Sequence, residues 1–537
     1  AKIVKQIDES ISPCHDFYSF ACGGLEKAFT VIPEDRSNLW SASLLQLNID
    51  QKLKAFIENI SSEDEDNYLS KIKVSYEQCV DQESIEVLGN SPLEMVFDQI
   101  GGWPVLQGKN WTDSIKNLTE RLTKLKEIGL RFDVFFELQV LPHVIDESFN
   151  AIYLGNPLLV LDDRGYYEKN INDTVLRSYY EFMIDASILL GAPSEIAKKE
   201  MLEVLQFEIN LTKIMAPKDP KGNVYNPRNF SELNSMAPAI DWKYFFNQIT
   251  SSIIRIPDDY YVILESPDYI TNLSGLIQKT DNRILANYIG WRTVVEMTAL
   301  LDNNWGVVAR RLYRHLDGRL RLLPRWKFCI NLVKKYFNIG VSSLYVQRTP
   351  EVRKQIKVVK RMVNEIRSTY LNYGSIGWVI GHEITHGFDD SGRLFDENGE
   401  YNEWWTNNTK KEFDRKAECF VEQYNNYTSP MTGMKLNGML TLGENIADNG
   451  GIKQAYRAYE KHASKDPLLP GLNYSQLQLF FIQSASVSVH YLSLTDFVNE
   501  SINFRIIGTM SNFAQFATAF HCNKQSAMNP KKRCELW

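Results

Sequence analysis

The sequence contains no run of roughly 18 or more apolar residues, so no segment of it is long and apolar enough to span a membrane as a helix. It also has no low-complexity tract and no repeat of about 20 to 50 residues, which argues against solenoid and propeller architectures. The net charge is only −7. Because a nucleic-acid-binding surface is usually strongly basic, we expect no nucleic-acid partner.

The first residues, AKIVKQIDES, lack both an initiator Met and an apolar stretch typical of a signal peptide. We therefore expect any signal peptide or membrane anchor to lie upstream of this chain. At 537 residues the chain exceeds what a single hydrophobic core normally serves. Its length predicts two large lobes.

No CxxC motif occurs, which disfavours a cysteine zinc site or a redox motif. The chain has 7 cysteines, an odd number that leaves at least one thiol without an intrachain partner. Three disulfides and one unpaired thiol are the plain expectation for a protein of an oxidising compartment. The cysteines are Cys14, Cys22, Cys79, Cys329, Cys419, Cys522 and Cys534.

Asn-x-Ser/Thr acceptor sites for N-glycosylation are more frequent than chance predicts. For this composition, chance gives about five such sites. This excess indicates a glycosylated protein of the secretory pathway, although some of the sites can be accidental and unused. The candidate glycosylation sites are Asn59, Asn110, Asn117, Asn172, Asn210, Asn229, Asn272, Asn407, Asn426, Asn473 and Asn499.

Apolar residues recur at three- and four-residue intervals over most of the chain, which predicts a mainly α fold with small β elements. The clearest helical segments are 113–128, 173–190 and 194–212. The best strand signals are 258–264 and 132–141. Clusters of turn-forming residues at 217–229 and 463–471 indicate loops, the first of them a plausible lobe boundary.

The motif His382-Glu383-Ile384-Thr385-His386 carries the clearest chemistry. On a helix its two histidines stand four residues apart on one face, where two neutral imidazoles can bind one Zn²⁺. Glu383 then lies beside the metal and can act as a general base toward water. An apolar stripe of Ile376, Val379, Ile380 and Ile384 is expected to bury this helix. The alternative is a surface helix with two solvated histidines.

A third ligand is available in TLGENIADNGG, residues 441–451. Glu444 can complete a catalytic zinc site, which uses three protein ligands. Asp448, one helical turn later, can accept the free ring N–H of a ligand histidine. We expect a short helix that ends at Gly450 and Gly451. Taken alone, this segment is also compatible with an ordinary acidic helix face.

Together, GHEITHGFDDSGR and LNGMLTLGENIADNGGIKQAYRAY closely resemble the neprilysin and endothelin-converting-enzyme family of zinc endopeptidases. The resemblance runs almost from end to end. It includes PCHDFYSFACGG near the start, LPRWKFC in the middle, and NFRIIG and the terminal MNPKKRCELW near the end.

The resemblance implies His382, His386 and Glu444 as zinc ligands, Glu383 as general base, and Asp448 as the partner of a ligand histidine. It also implies that Arg505 contacts the substrate backbone. An apolar pocket for the side chain after the cleaved bond would be lined by Trp378, Val379 and Val487. The same matching pairs Cys14 with Cys522, Cys79 with Cys329, and Cys419 with Cys534. Cys22 is left unpaired, because Val489 stands where its partner is expected.

The chain departs from the family pattern in three places. Between Arg367 and Leu371 only three residues stand where the family has a long stretch that includes a substrate-holding edge strand. The family's transition-state-stabilising His has no counterpart in TDFVNESINFR, and Ser488 replaces a Trp. Losing one such donor costs about 10²–10³ in rate. Either the sequence omits segments of the natural protein, or the protein is a shortened relative.

The resemblance further implies an ectodomain of two lobes around a central cavity, with a thermolysin-like catalytic lobe. The catalytic lobe would comprise 1–21, 215–304 and 368–537, and the second lobe 22–214 and 305–367. We expect a zinc endopeptidase, with one Zn²⁺ per chain, that cleaves oligopeptides on the amino side of hydrophobic residues. It would be extracellular or at the cell surface, with a membrane anchor expected upstream. The alternatives are a catalytically weak zinc-binding homologue that serves as a peptide-binding ectodomain, and a helical glycoprotein with a fortuitous motif.

Overall fold

The structure is a computed structural model of the chain. It describes residues 6–28, 39–60, 68–115, 117–146, 148–215, 225–250, 256–257, 260–316, 319, 321–349, 369–402, 404–428, 435–461, 468, 472–487, 490–491 and 502–536.

Helices dominate the described residues, and strands are few and short. The α-helices are α1 (Phe17–Ala28), α2 (Ser41–Glu58), α3 (Tyr68–Val80), α4 (Gln82–Leu88), α5 (Ser91–Gln99), α6 (Pro104–Gln107), α7 (Leu118–Glu127), α8 (Thr174–Leu189), α9 (Ser194–Ile214), α10 (Phe230–Met236), α11 (Trp242–Thr250), α12 (Pro267–Lys279), α13 (Asn282–Met297), α14 (Asn303–Leu316), α15 (Arg325–Tyr336), α16 (Asn338–Arg348), α17 (Thr369–Asn372), α18 (Trp378–His386), α19 (Asn407–Asn425), α20 (Leu442–Glu460), α21 (Gln476–Val487), α22 (Ile502–Asn512) and α23 (Ala514–Ala519). The prediction of a mainly α fold is confirmed.

The strands are β1 (Leu39–Trp40), β2 (Glu137–Pro142), β3 (Asn150–Gly155), β4 (Pro227–Asn229), β5 (Tyr261–Leu264) and β6 (His490–Tyr491). Four of them form a sheet in the order β2-β3-β5-β4, in which only the β3–β5 pair is parallel. β1 and β6 pair antiparallel. Both segments with the best strand signals contain a strand, β2 and β5. The sequence analysis missed β3.

Local signals explain where the predicted helices begin. Asp173 caps α8 by accepting a hydrogen bond from the backbone N–H of Val175 at 3.0 Å. The helix predicted over 113–128 starts later, at Leu118, because the Asn117 side chain caps its first turn through the N–H of Thr119. In both cases a side-chain oxygen satisfies a backbone donor that the helix itself leaves free.

Contacts between residues divide the chain into two compact units. Unit 1 comprises 1–80 and 323–537, and unit 2 comprises 81–322. Unit 2 buries one large core that draws on α5 to α14 and on strands β3 and β5. The lobe boundaries implied by the family architecture fall at other positions and stay a prediction. Of the turn clusters, 217–224 and most of 463–471 lie outside the described residues.

Among its described residues, unit 1 holds three packed clusters. The largest joins α1 to α21, α22 and α23 through buried aromatic rings such as Phe17, Phe481 and Phe516. A second joins α2, α3, α15 and α16. The third places α19 against the start of α20 and the C-terminal tail. No helix among the described residues is long and apolar enough to cross a membrane.

Candidate metal centre

Helix α18 presents two imidazole rings to one point. His382 and His386 are separated by one helical turn, and their Nε2 atoms lie 3.0 Å apart. Both side chains are partly buried, with exposed fractions of 14% and 30%. The local geometry is therefore that of a paired donor site rather than of two solvated surface histidines.

Each ring is held from behind by a carboxylate. The Nδ1 atom of His382 lies 2.9 Å from Oδ1 of Asp448, and the Nδ1 atom of His386 lies 2.7 Å from Oδ2 of Asp389. Asp389 also accepts hydrogen bonds from the backbone N–H groups of Ser391 and Gly392. These contacts fix the orientation of both rings.

The contact of Asp389 was missed in the sequence analysis. Its signal was present, because Asp389 follows His386 by three residues and so returns to the same side of the chain one turn later. The segment FDD that contains it enters the prediction only as part of the family resemblance.

Whether the site fits a metal ion depends on which nitrogen of each imidazole carries hydrogen, and the contacts with the two carboxylates determine this. A carboxylate accepts a proton donor, so both Nδ1 atoms carry hydrogen and both neutral rings present a lone pair at Nε2. Two lone pairs that face each other at 3.0 Å repel unless a proton or a metal cation lies between them. The donor set therefore fits a shared metal ion.

Glu444 supplies a third donor from the first turn of α20. Its carboxylate oxygens lie 3.5 Å from Nε2 of His382 and 3.6 Å from Nε2 of His386. One ligand atom from each of the three residues falls within 4.8 Å of the others. Two imidazoles and one carboxylate, with Zn–N distances of about 2.0–2.1 Å, form a common donor set for a catalytic zinc ion.

Arg505 of α22 ties the carboxylates of α20 together. Its guanidinium donates to Asp448 from Nε at 2.7 Å and from Nη2 at 2.9 Å, and Nη2 lies 2.8 Å from Glu444. Burial raises the pKa of Asp448, but the positive charge of Arg505 and the hydrogen bonds from His382 and Arg505 outweigh it and lower that pKa. The carboxyl group of Asp448 is therefore ionised and accepts from His382.

The two helices of the site approach closely through glycines. A Cβ atom on Gly381 of α18 would lie 2.7 Å from the carbonyl oxygen of Gly451, and one on Gly451 would lie 2.6 Å from the backbone nitrogen of His382. No larger residue fits either position without moving a helix. The expected helix end at Gly450 and Gly451 is wrong: α20 continues to Glu460, and the glycines serve helix packing instead.

The expected burial of the isoleucine stripe is also wrong. Ile376, Ile380 and Ile384 are 57%, 51% and 62% exposed. The buried face of α18 consists of Trp378, Gly381 and Thr385, because these residues point toward α20 and the core of unit 1.

The remaining predicted site residues differ in how far their side chains are buried. Glu383 follows His382 on α18 and is exposed. Trp378 is only 3% exposed and donates its indole N–H to the carbonyl oxygen of Asp448 at 3.1 Å. Val379 is half-buried, and the side chain of Val487 lies outside the described residues. The roles of Trp378, Val379 and Val487 in a substrate pocket stay predictions, as does the contact of Arg505 with substrate.

Three disulfides join distant parts of the chain, and they are the pairs that the resemblance implies: Cys14–Cys522, Cys79–Cys329 and Cys419–Cys534. Cys22 is buried and outside any disulfide. Of the candidate glycosylation sites, Asn210 is half-buried, Asn499 lies outside the described residues, and the others are exposed.

Comparison with known proteins finds relatives that align along the whole chain. Neprilysin-2 of Drosophila melanogaster is 27% identical over 682 aligned positions, which cover 100% of this chain and 88% of that protein. Endothelin-converting enzyme 1 of Homo sapiens is 28% identical over 676 positions, covering 100% and 86%. Both alignments are longer than the 537 residues of this chain, so these relatives hold segments without a counterpart here.

The fold has a counterpart among solved structures. The Mycobacterium tuberculosis zinc metalloprotease ZMP1, in complex with an inhibitor, superposes with a TM-score of 0.85 at 20% identity, covering 99% of this chain and 98% of that one. Two sequence models, both described as Peptidase family M13, match residues 13–373 and 362–536. The chain therefore belongs to peptidase family M13 and is a metalloendopeptidase of that family.

Proposed function

We propose that the chain is a zinc-dependent endopeptidase that hydrolyses short peptides on the amino side of hydrophobic residues. The observation that carries the proposal is that the Nε2 atoms of His382 and His386 lie 3.0 Å apart, with the Glu444 carboxylate beside them. Zinc is the metal that this donor set favours, and membership of family M13 supports the same choice.

A zinc ion held by these three residues would polarise the peptide carbonyl and make water a stronger nucleophile at neutral pH. The chain's own residues supply the remaining steps. Glu383 stands next to the first ligand and takes the proton from the attacking water. It then returns that proton to the nitrogen of the leaving amine. Asp448 and Asp389 keep both imidazoles in the metal-binding tautomer throughout.

The cellular setting and the substrates belong to the same proposal. The excess of glycosylation sites, most of them exposed, and three disulfides between distant segments favour an extracellular or cell-surface protein. An anchor upstream of the chain would tether it to a membrane. Substrates would be oligopeptides, and the aliphatic and aromatic residues assigned to the pocket by the resemblance favour Phe or Leu after the cleaved bond.

A second candidate is a zinc-binding homologue that captures peptides and cleaves them slowly or not at all. The longer alignments of the relatives favour it, since the chain lacks residues that they possess. The exposed stripe of Ile376, Ile380 and Ile384 agrees, because apolar surface is left bare when a covering segment is absent.

A quenched-fluorescence peptide with Phe or Leu after the cleaved bond separates the two candidates. Chelator-sensitive turnover that falls by about 10²–10⁴ in Glu383→Gln, with zinc retained, supports the peptidase. Glu397→Gln, on an exposed loop, is the matched control and should leave turnover unchanged. Stoichiometric zinc with no turnover in the wild type would instead support the peptide-binding homologue.

A further inference from the structure

Unit 1 contains a cavity of about 570 Å³ on the side of α20 that faces away from the metal-binding residues. We call it the rear cavity. Its walls are α20, the end of α22, the start of α23 and the C-terminal tail. The lining residues on which the inference rests are Lys453, Arg457, Lys531, Arg533, Phe513 and Ala514.

Helical spacing separates the rear cavity from the metal centre. Glu444 and Asp448 are four residues apart and face α18, whereas Asn449, Lys453 and Arg457 follow one another at four-residue intervals and line the cavity. At 3.6 residues per turn these two sets occupy different faces of the same helix. A molecule in the rear cavity therefore contacts α20 without reaching the ligands.

The cavity walls are fixed by polar contacts that do not depend on a ligand. Asn512 of α22 donates to Oδ1 of Asn449 at 3.0 Å and accepts from the backbone N–H of Cys534 at 3.0 Å. Cys534 is in turn disulfide-bonded to Cys419 of α19. α19, α20, α22 and the C-terminal tail are thereby tied together around the cavity, as expected for a preformed binding site.

The lining combines an apolar floor with an excess of positive charge. Phe420, Ile446, Ile452 and Phe513 are buried at its base. Its charged residues are four cations and two carboxylates. Glu535 pairs with Lys453, and Glu460 accepts from the hydroxyl of Tyr456 at 3.0 Å. Arg533 donates through Nε to the carbonyl oxygen of Ser511 at 3.3 Å and through Nη2 to Asn529.

We propose that the rear cavity binds a small organic anion, in which a phosphate or carboxylate group is joined to an apolar ring or short chain. The anionic group would lie between Arg457, Lys531 and Arg533, and the apolar part would lie against Phe513. The volume falls within the range of about 300–1,000 Å³ that is usual for small-molecule sites. This site is independent of the proposed peptidase activity.

Phenyl phosphate is a suitable probe, and isothermal titration calorimetry of the full chain measures its binding. We expect one site per chain, with inorganic phosphate binding at least tenfold more weakly because it lacks the apolar part. Lys531→Gln and Arg457→Gln should each weaken phenyl phosphate binding by tenfold or more. Lys532→Gln is the matched control, since Lys532 pairs with Glu422 and does not line the cavity.

Ala514→Trp provides a second variant, because Ala514 is exposed at the cavity mouth and a large ring there fills space without disturbing the core. It should abolish binding while leaving thermal stability unchanged. Repeating the titration after chelation and in Glu383→Gln separates this site from the metal centre, and binding should persist in both. The proposal is overturned if the wild type gives no binding at millimolar probe, or if Lys531→Gln, Arg457→Gln and Ala514→Trp all bind like the wild type.

Discussion

Asp389 accepts a hydrogen bond from His386 at 2.7 Å while it is itself held by two backbone N–H groups of the following turn. The Asp389 carboxylate is thus held in place by the protein alone. Because it occupies Nδ1 of His386, the lone pair on Nε2 of that ring is available to a metal ion. Asp448 performs the same task for His382 from another helix. The candidate metal centre therefore depends on two carboxylates, Asp389 and Asp448, that lie outside its donor set.

Replacing Asp389 by Asn should weaken zinc binding by about 10–100-fold, because an amide no longer imposes the metal-binding tautomer on His386. Competition with a chelator of known affinity measures the zinc dissociation constant. Asp414→Asn is the control, since Asp414 lies on α19, its carboxylate is 3.8 Å from Arg393, and it is not one of the three residues of the donor set. Equal zinc affinity in wild type and Asp389→Asn would contradict this role.

Gly451→Ala should push α18 and α20 apart, because its methyl group would meet the backbone of His382. We expect a loss of about 1–3 kcal/mol in the free energy of unfolding, as for other overpacked sites. Zinc affinity should fall with it, since the helices carry different ligands.

The matched change is Gly275→Ala in the middle of α12, where an added Cβ meets nothing within 4 Å. Glycine inside a helix is less favourable than alanine, so this substitution should raise the free energy of unfolding by about 0.5–1 kcal/mol. Urea unfolding, followed by circular dichroism, measures both variants. If the two substitutions had the same effect, the close helix contact would not be what requires Gly451.

The buried carboxyl group of Glu208 should make stability depend on pH. Burial raises its pKa to about 7, against the hydrogen bond from Tyr179 and the charge of Arg292, which lower it. In the unfolded chain the same group ionises near its ordinary value of about 4.3. Its stabilising contribution is therefore complete below that value and is lost as the pH rises through about 7.

The variant Glu208→Gln lacks this titration. Relative to it, the wild type should lose unfolding free energy progressively between about pH 4.3 and 7 and show no further relative loss above that range. Urea midpoints of both proteins, measured across this interval, give the comparison. Parallel pH curves for the two proteins would show that Glu208 is not buried as a protonated acid.

The sequence alone was sufficient for the helical class of the fold and for the pairing of His382 with His386. The spacing of His382 and His386 requires only a helix, and helix α18 is present. The family match then supplied Glu444, which no local pattern could have joined to them across the intervening chain. Local and family information together were enough to name His382, His386, Glu444 and Asp448, but not Asp389.

The packing between secondary-structure elements could not be predicted from the sequence, because it depends on which faces of those elements meet in the fold. Gly450 and Gly451 are typical of a helix end, yet the approach of α18 makes them packing residues inside α20. The isoleucines of α18 have the spacing of a buried stripe but face outward, since the glycine face of the same helix takes the contact. Strand β3 was missed for a related reason: its pairing with β2 and β5 depends on tertiary contacts.

Metal analysis of the purified chain tests the central claim most directly. After dialysis against metal-free buffer, elemental mass spectrometry should find one zinc per wild-type chain and much less in Glu444→Gln. Glu460→Gln, at the other end of the same helix, should retain the wild-type content. Absence of zinc from the wild type, or full retention of zinc in Glu444→Gln, would contradict a single ion held jointly by His382, His386 and Glu444.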